Sequence, residues 1–103
     1  MNLQKLMKQA QKMQEQMAKT QAELEEKTVE VQAGGGKVKV VANGAGDVIS
    51  IKIDKDIVDA NDVEFLEEVV LSGVKGAIEQ GKALAQSEMS KLTGGIAVPG
   101  LNL

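Results

Sequence analysis

The sequence predicts an α+β fold with the element order α-β-β-β-α. Three observations predict it. The opening run "LQKLMKQAQKMQEQMAKTQAEL" (3–24) repeats its apolar residues at helical steps, the middle of the chain alternates at a period of two, and helical spacing returns after Asn61. A three-stranded antiparallel meander between long N- and C-terminal helices satisfies all three.

The first helix is predicted from about Asn2 to Lys27, about 38 Å long at 1.5 Å per residue. Leu3, Leu6, Ala10, Met13, Met17, Thr20 and Leu24 recur at steps of three and four. That is a narrow seam, suited to contact with another helix more than to burial in a globular core. Residues 1–27 therefore read as a helical arm.

Residues 28–54 read as the meander. Val29, Val31 and Ala33 alternate with Thr28, Glu30 and Gln32, Val38, Val40 and Ala42 with Lys37, Lys39 and Val41, and Ile49, Ile51 and Ile53 with Val48, Ser50 and Lys52. One apolar face per strand predicts a sheet covered on one side. "AGGGK" (33–37) and "NGAGD" (43–47) supply residues that tolerate positive φ, and both read as hairpin turns.

The second helix is predicted over 61–92, with Asn61 as N-cap and Glu64 three residues on. Leu66, Val70, Val74, Ala77 and Ile78 form its apolar face. Glycines 73, 76 and 81 each cost roughly 1 kcal/mol against alanine inside a helix, so they mark close packing or a bend. "TGG" (93–95) is the predicted stop, and 93–103 is expected to be an extended, flexible tail. With 103 residues, a single domain is expected.

Composition narrows the function. The chain has no His, Cys, Trp, Tyr or Arg, and Phe65 is its only aromatic. The usual neutral-pH base, the usual nucleophile and the usual metal ligands are missing, so no enzyme, cofactor, metal site or small-molecule substrate is expected. Stacking platforms for single strands are missing as well. No apolar run is long enough for a membrane span, and the start does not resemble a secretory signal, so a cytoplasmic protein is expected. A chain this small with two long helices buries little surface and has no disulfide to staple it. An obligate homodimer is the expected remedy, and a free sheet edge offers one route to it.

The glycine and acidic motifs carry no chemistry of their own. "GGGK" lacks the leading glycine and the following hydroxyl of a phosphate-binding loop, with Val31 and Val38 in those places. "GAGDVI" puts Ile49 where a dinucleotide loop needs its third glycine. "DKDIVDANDVEF" fails as a calcium loop, having Asp59 at the sixth place and Phe65 at the twelfth.

Charge is more informative. Lys5, Lys8, Lys12 and Lys19 form a stripe on a face separate from the apolar seam. Residues 1–20 hold these four lysines against Glu15 alone, for a side-chain charge of +3; the other 83 residues carry −6. A basic arm on an acidic body suits a polyanion, although a solvated helix face explains the same stripe. Met7, Met13 and Met17 suggest an alternative, an interaction module whose Met-lined arms clamp a partner helix or client protein.

Taken together, "NLQKLMKQAQKMQEQM", "GGGKVKVVANGAGDVISIKID" and "LEEVVLSGVKGAIEQGKALAQSEMSKLTGG" with the "PGLNL" tail resemble the YbaB/EbfC family of bacterial nucleoid-associated proteins over nearly the whole chain. The resemblance implies a homodimer whose helical arms project like tweezers from a joined β core. It implies binding of double-stranded DNA with little sequence preference, and a role in nucleoid organisation and gene regulation. By the same resemblance Lys5, Lys8, Lys12 and Lys19 are the DNA-binding residues, with Lys82 and Lys91 behind them. Without arginine, bidentate reading of guanine is not available, so binding through phosphates is implied.

Overall fold

Residues 2–92 are described by a computed structural model. Helix α1 spans Leu3–Glu26, and strands β1 (Thr28–Ala33), β2 (Val38–Asn43) and β3 (Val48–Ile53) come after it. A short 3-10 turn at Lys55–Ile57 leads to helix α2, Val63–Leu92. The order is the predicted one. The predicted stop and tail at 93–103 lie outside the described residues.

Asn2 caps α1 by accepting a hydrogen bond from the Gln4 N–H at 3.1 Å. At the other end Lys27 is already extended, so α1 passes into β1 without a loop. The strands form an antiparallel meander in the order β1-β2-β3. Val29, Val31 and Ala33 lie opposite Ala42, Val40 and Val38. Gly34, Gly35 and Gly36 between these strands all take positive φ, a conformation that other residues adopt at a cost of about 1–2 kcal/mol each.

Helix α2 lies across β1 and β2 and only grazes β3. Val38, Val40 and Ala42 are fully buried beneath it. Its contact stripe is Val69, Gly73, Ala77 and Gly81, one residue per turn. The sequence placed the packed face on Leu66, Val70, Val74, Ala77 and Ile78; of these only Ala77 belongs to the buried stripe. Small residues win because the helix backbone comes so close to the sheet. A Cβ at Gly73 would meet the Val40 side chain at 2.9 Å, and one at Gly81 would collide with the Asn43 carbonyl oxygen. The glycines therefore serve close packing, and α2 runs through them unbroken.

Two further expectations change. Asp62, not Asn61, caps α2: its Oδ1 accepts from the Phe65 N–H at 3.3 Å, while the Asn61 N–H is turned to Asp59. Glu64 is then not three residues past the cap, and no capping box forms. On β3, Ile49, Ile51 and Ile53 are all exposed instead of covered. A bulge opposite Val41 and Ala42 also breaks the alternation, so that Val48 instead of Ile49 faces Ala42.

Candidate nucleic-acid interface

Helix α1 is held only at its root. Thr20 and Leu24 are its buried residues, and every described residue from Asn2 to Lys19 is exposed. The root is fastened by the turn between β2 and β3. The Gly44 N–H donates to the carbonyls of Leu24 (2.8 Å) and Lys27 (3.0 Å), and the Asn43 side-chain amide donates to the Glu25 carbonyl at 3.2 Å. These carbonyls belong to the end of α1 and have no partner within the helix. Asn43, only 4% exposed, also accepts from the N–H groups of Ala45 (3.0 Å) and Asp47 (2.9 Å), shaping the turn that grips the helix. In the sequence "NGAGD" reads as a hairpin turn and nothing more. Its second task appears only when the turn meets a segment 18 residues away.

Lys5, Lys8, Lys12 and Lys19 all project from the free part of α1 and are exposed. At 100° per residue they fall within a sector of roughly 60°, centred roughly 135° from the apolar seam. They cover about 21 Å of helix axis, close to six base-pair steps of B-form DNA. None of the four takes part in an ion pair among the described residues. Glu15 interrupts the stripe, and a shallow recess is lined by Lys12, Glu15, Gln16 and Lys19. Nearer the root the same face carries Glu23 and Glu26, so its charge inverts along the helix.

The two lysines on α2 are placed differently. Lys82 borders a depression beside the β2–β3 turn, with Gly44, Ala45 and Glu79. Lys91 lies 3.5 Å from Glu88, which also pairs with Lys27 at 3.3 Å. Lys27 first, and Lys91 after it, hold the Glu88 carboxyl below its ordinary value. Nine residues apart on a helix, Lys82 and Lys91 point to opposite sides. The structure thus groups the four α1 lysines on one face and leaves Lys82 and Lys91 separate from each other.

A second exposed surface lies at the far end of α2. Ile53, Leu66, Glu67, Val70, Leu71 and Val74 line an open groove of about 430 Å³, almost wholly apolar. Phe65 and Ile51 stand exposed on the same elements. Of the predicted apolar face of α2, Leu66, Val70 and Val74 therefore line a surface groove, Val70 and Val74 while also packing against the edge of the core. Among the described residues no helix is long and apolar enough to cross a membrane.

Known proteins share this outline. A nucleoid-associated protein of Thermoanaerobacter pseudethanolicus is 51% identical over 100 residues, covering 97% of this chain and 90% of that one. A nucleoid-associated protein of Clostridium novyi is 50% identical over 101 residues, covering 98% and 89%. The crystal structure of an uncharacterized protein from Helicobacter pylori shares the fold with a TM-score of 0.79 at 18% identity, over 91% of this chain and 99% of that one. The profile of the YbaB/EbfC DNA-binding family spans residues 1–96, from the free arm to beyond the end of α2. By sequence along almost its whole length, the chain belongs to the YbaB/EbfC DNA-binding family.

Proposed function

We propose that two copies of this chain associate and hold double-stranded DNA through the lysines of their α1 arms, organising the nucleoid within the cytoplasm and influencing gene expression there. The observation that carries this reading is the grouping of Lys5, Lys8, Lys12 and Lys19 on one exposed helix face, free of ion pairs among the described residues. The names of the relatives, nucleoid-associated proteins, support it.

Lysine acts on phosphate as a mobile point charge and carries no base code. Binding is therefore non-specific, and its salt dependence reports how many phosphates are neutralised. Eight lysines from two arms set an upper slope of about −7 in log K against log salt. Glu15 and the acidic root of each arm reduce it. Lys82 and Lys91 point to opposite sides of α2, so at most one of the two adds to binding on any one duplex.

The apolar groove of Ile53, Leu66, Val70, Leu71 and Val74 supports self-association. Burial of such a surface is worth about 25 cal/mol per Å² of apolar area removed from water. The free edge of β3 lies beside it and brings unpaired backbone groups to the same contact.

The test is a fluorescence-anisotropy titration of duplex DNA at two salt concentrations, with and without joint replacement of Lys5, Lys8, Lys12 and Lys19 by Gln. The native protein is expected to bind several unrelated duplexes alike and to weaken steeply with salt. The fourfold variant is expected to bind at least 10-fold more weakly, with a flatter slope. Binding indifferent to both salt and the four changes would refute the proposal and favour a protein-clamping module.

A further inference from the structure

We propose that the apolar seam of α1 pairs with the same seam of a second copy of this chain, the two arms running antiparallel. Leu3, Leu6, Ala10, Met13 and Met17 take the alternate a and d places of a heptad, and all five are exposed. Leu3 is 69% exposed and Met17 still 42%, whereas Thr20 and Leu24 continue the same line and are buried at the root. A helix of this kind gains most of its stability from what packs on its apolar face.

The residues beside the seam identify the occupant. From Asn2 to Gln21 the flanking e and g places hold Asn2, Met7, Gln9, Gln14, Gln16 and Gln21, with no charge among them. Charges at these places are what select a coiled-coil partner of different sequence, and this arm has none to offer. A copy of itself, by contrast, approaches the seam without like-charge repulsion. Lys5, Lys8, Lys12, Lys19 and Glu15 all fall at c and f places, on the outside of such a pair.

The root decides the direction. There α1 packs on α2 and β2, and Leu24 lies against Gly44 of the β2–β3 turn. A parallel partner would bring its own root, with the same elements attached, into that space. Antiparallel arms keep the two bodies at opposite ends, and a places then face d places. Leu6 meets Met17 of the second copy, and small Ala10 meets its Met13, whose flexible side chain fills the gap. Burying the exposed parts of Leu3, Leu6, Met7, Met13 and Met17 on both arms removes about 1,000 Å² from water, the lower end for a specific contact. The pairing is therefore reversible and belongs to high local concentration. Where the arms hold DNA as proposed above, a pair turns its two lysine faces to opposite sides and joins one duplex to another.

The test uses the full chain, which has no cysteine of its own, and needs neither DNA nor the α2 groove. Leu6→Cys and Met17→Cys chains are mixed in equal amounts and oxidised, and the cross-linked products are told apart by mass. The mixed product is expected to exceed either self-linked product by about 10-fold or more, because only the antiparallel pair sets the two positions side by side. A statistical mixture, an excess of self-linked chains, or no bond between chains would overturn the proposal. Sedimentation equilibrium in a Leu71→Asp background, with the groove disabled, supplies the second measurement. Self-association that remains at high concentration is expected to weaken about 10-fold or more when Leu6→Glu and Met13→Glu are added; unchanged association would overturn the proposal too.

Discussion

Asn43 joins the β2–β3 turn to the end of α1 with a single amide. Its oxygen accepts two backbone N–H groups of its own turn, and its nitrogen reaches the Glu25 carbonyl at the end of α1. Asn43 itself is almost out of contact with water, and the bonds it makes are partly buried. Replacement by Ala removes three partly buried hydrogen bonds, each with a net worth of about 0.5–1.5 kcal/mol. Asn43→Ala is expected to lower stability by about 2–4 kcal/mol, read as a lower urea midpoint with an unchanged slope. Nothing in "VANGAG" announces this, because the sequence carries the signal of the turn and not of the helix end the turn will meet. The lysines of α1 are legible for the opposite reason: they need no tertiary partner, only helical periodicity and exposure, and both can be read from spacing.

At the scale of elements, periodicity identifies each helix and strand, and burial is where reading by hydrophobicity goes astray. Leu66, Val70 and Val74 belong to the bulkier apolar face of α2, yet the residues buried deepest against the sheet are Val69, Gly73, Ala77 and Gly81, with Val70 and Val74 packing only at the edge of the core. Closeness of approach decides this, and a hydrophobic pattern does not encode it. The phase of β3 is likewise altered by a bulge, a backbone event without a composition signal. The junction of α1 with α2 carries a pH dependence. Lys27, followed by Lys91, keeps the Glu88 carboxyl ionised to lower pH than an unpaired glutamate. The folded state thus binds this proton less readily than the unfolded chain. The resulting stabilisation is fully present above the ordinary glutamate value of 4.5 and is lost as pH falls through the lowered one. Comparing urea midpoints of the native chain and Glu88→Gln is expected to show a small native advantage at neutral pH. The advantage should shrink with added salt and disappear at the acid end.

At the scale of the whole molecule, the covered core is thin: β2 is buried, β1 is half-buried, and the apolar residues of β3 face outward beside the α2 groove. A shortage of core is legible from chain length and the lack of disulfides. Which surface makes good the shortage is not, since the same isoleucines also fit a covered strand. Leu71, 54% exposed at the rim of the groove, is the position from which to test self-association. Leu71→Asp would place an unpaired carboxylate in the contact and is expected to weaken the dimer roughly 100-fold, about 3 kcal/mol. Light scattering across a dilution series is the measurement, with a dimer expected for the native chain. A native chain that stays monomeric at every concentration would remove the groove from the account.

The reversal of charge along α1 would set where a duplex comes to rest if the arms hold DNA as proposed. Toward the tip the helix attracts a polyanion; at Glu23 and Glu26, just before the sheet begins, it repels one. A double helix held in that way would be pushed outward and kept at a standoff from the strands. The gap beneath it would stay filled with water and salt, sparing the β core any electrostatic quarrel with its cargo.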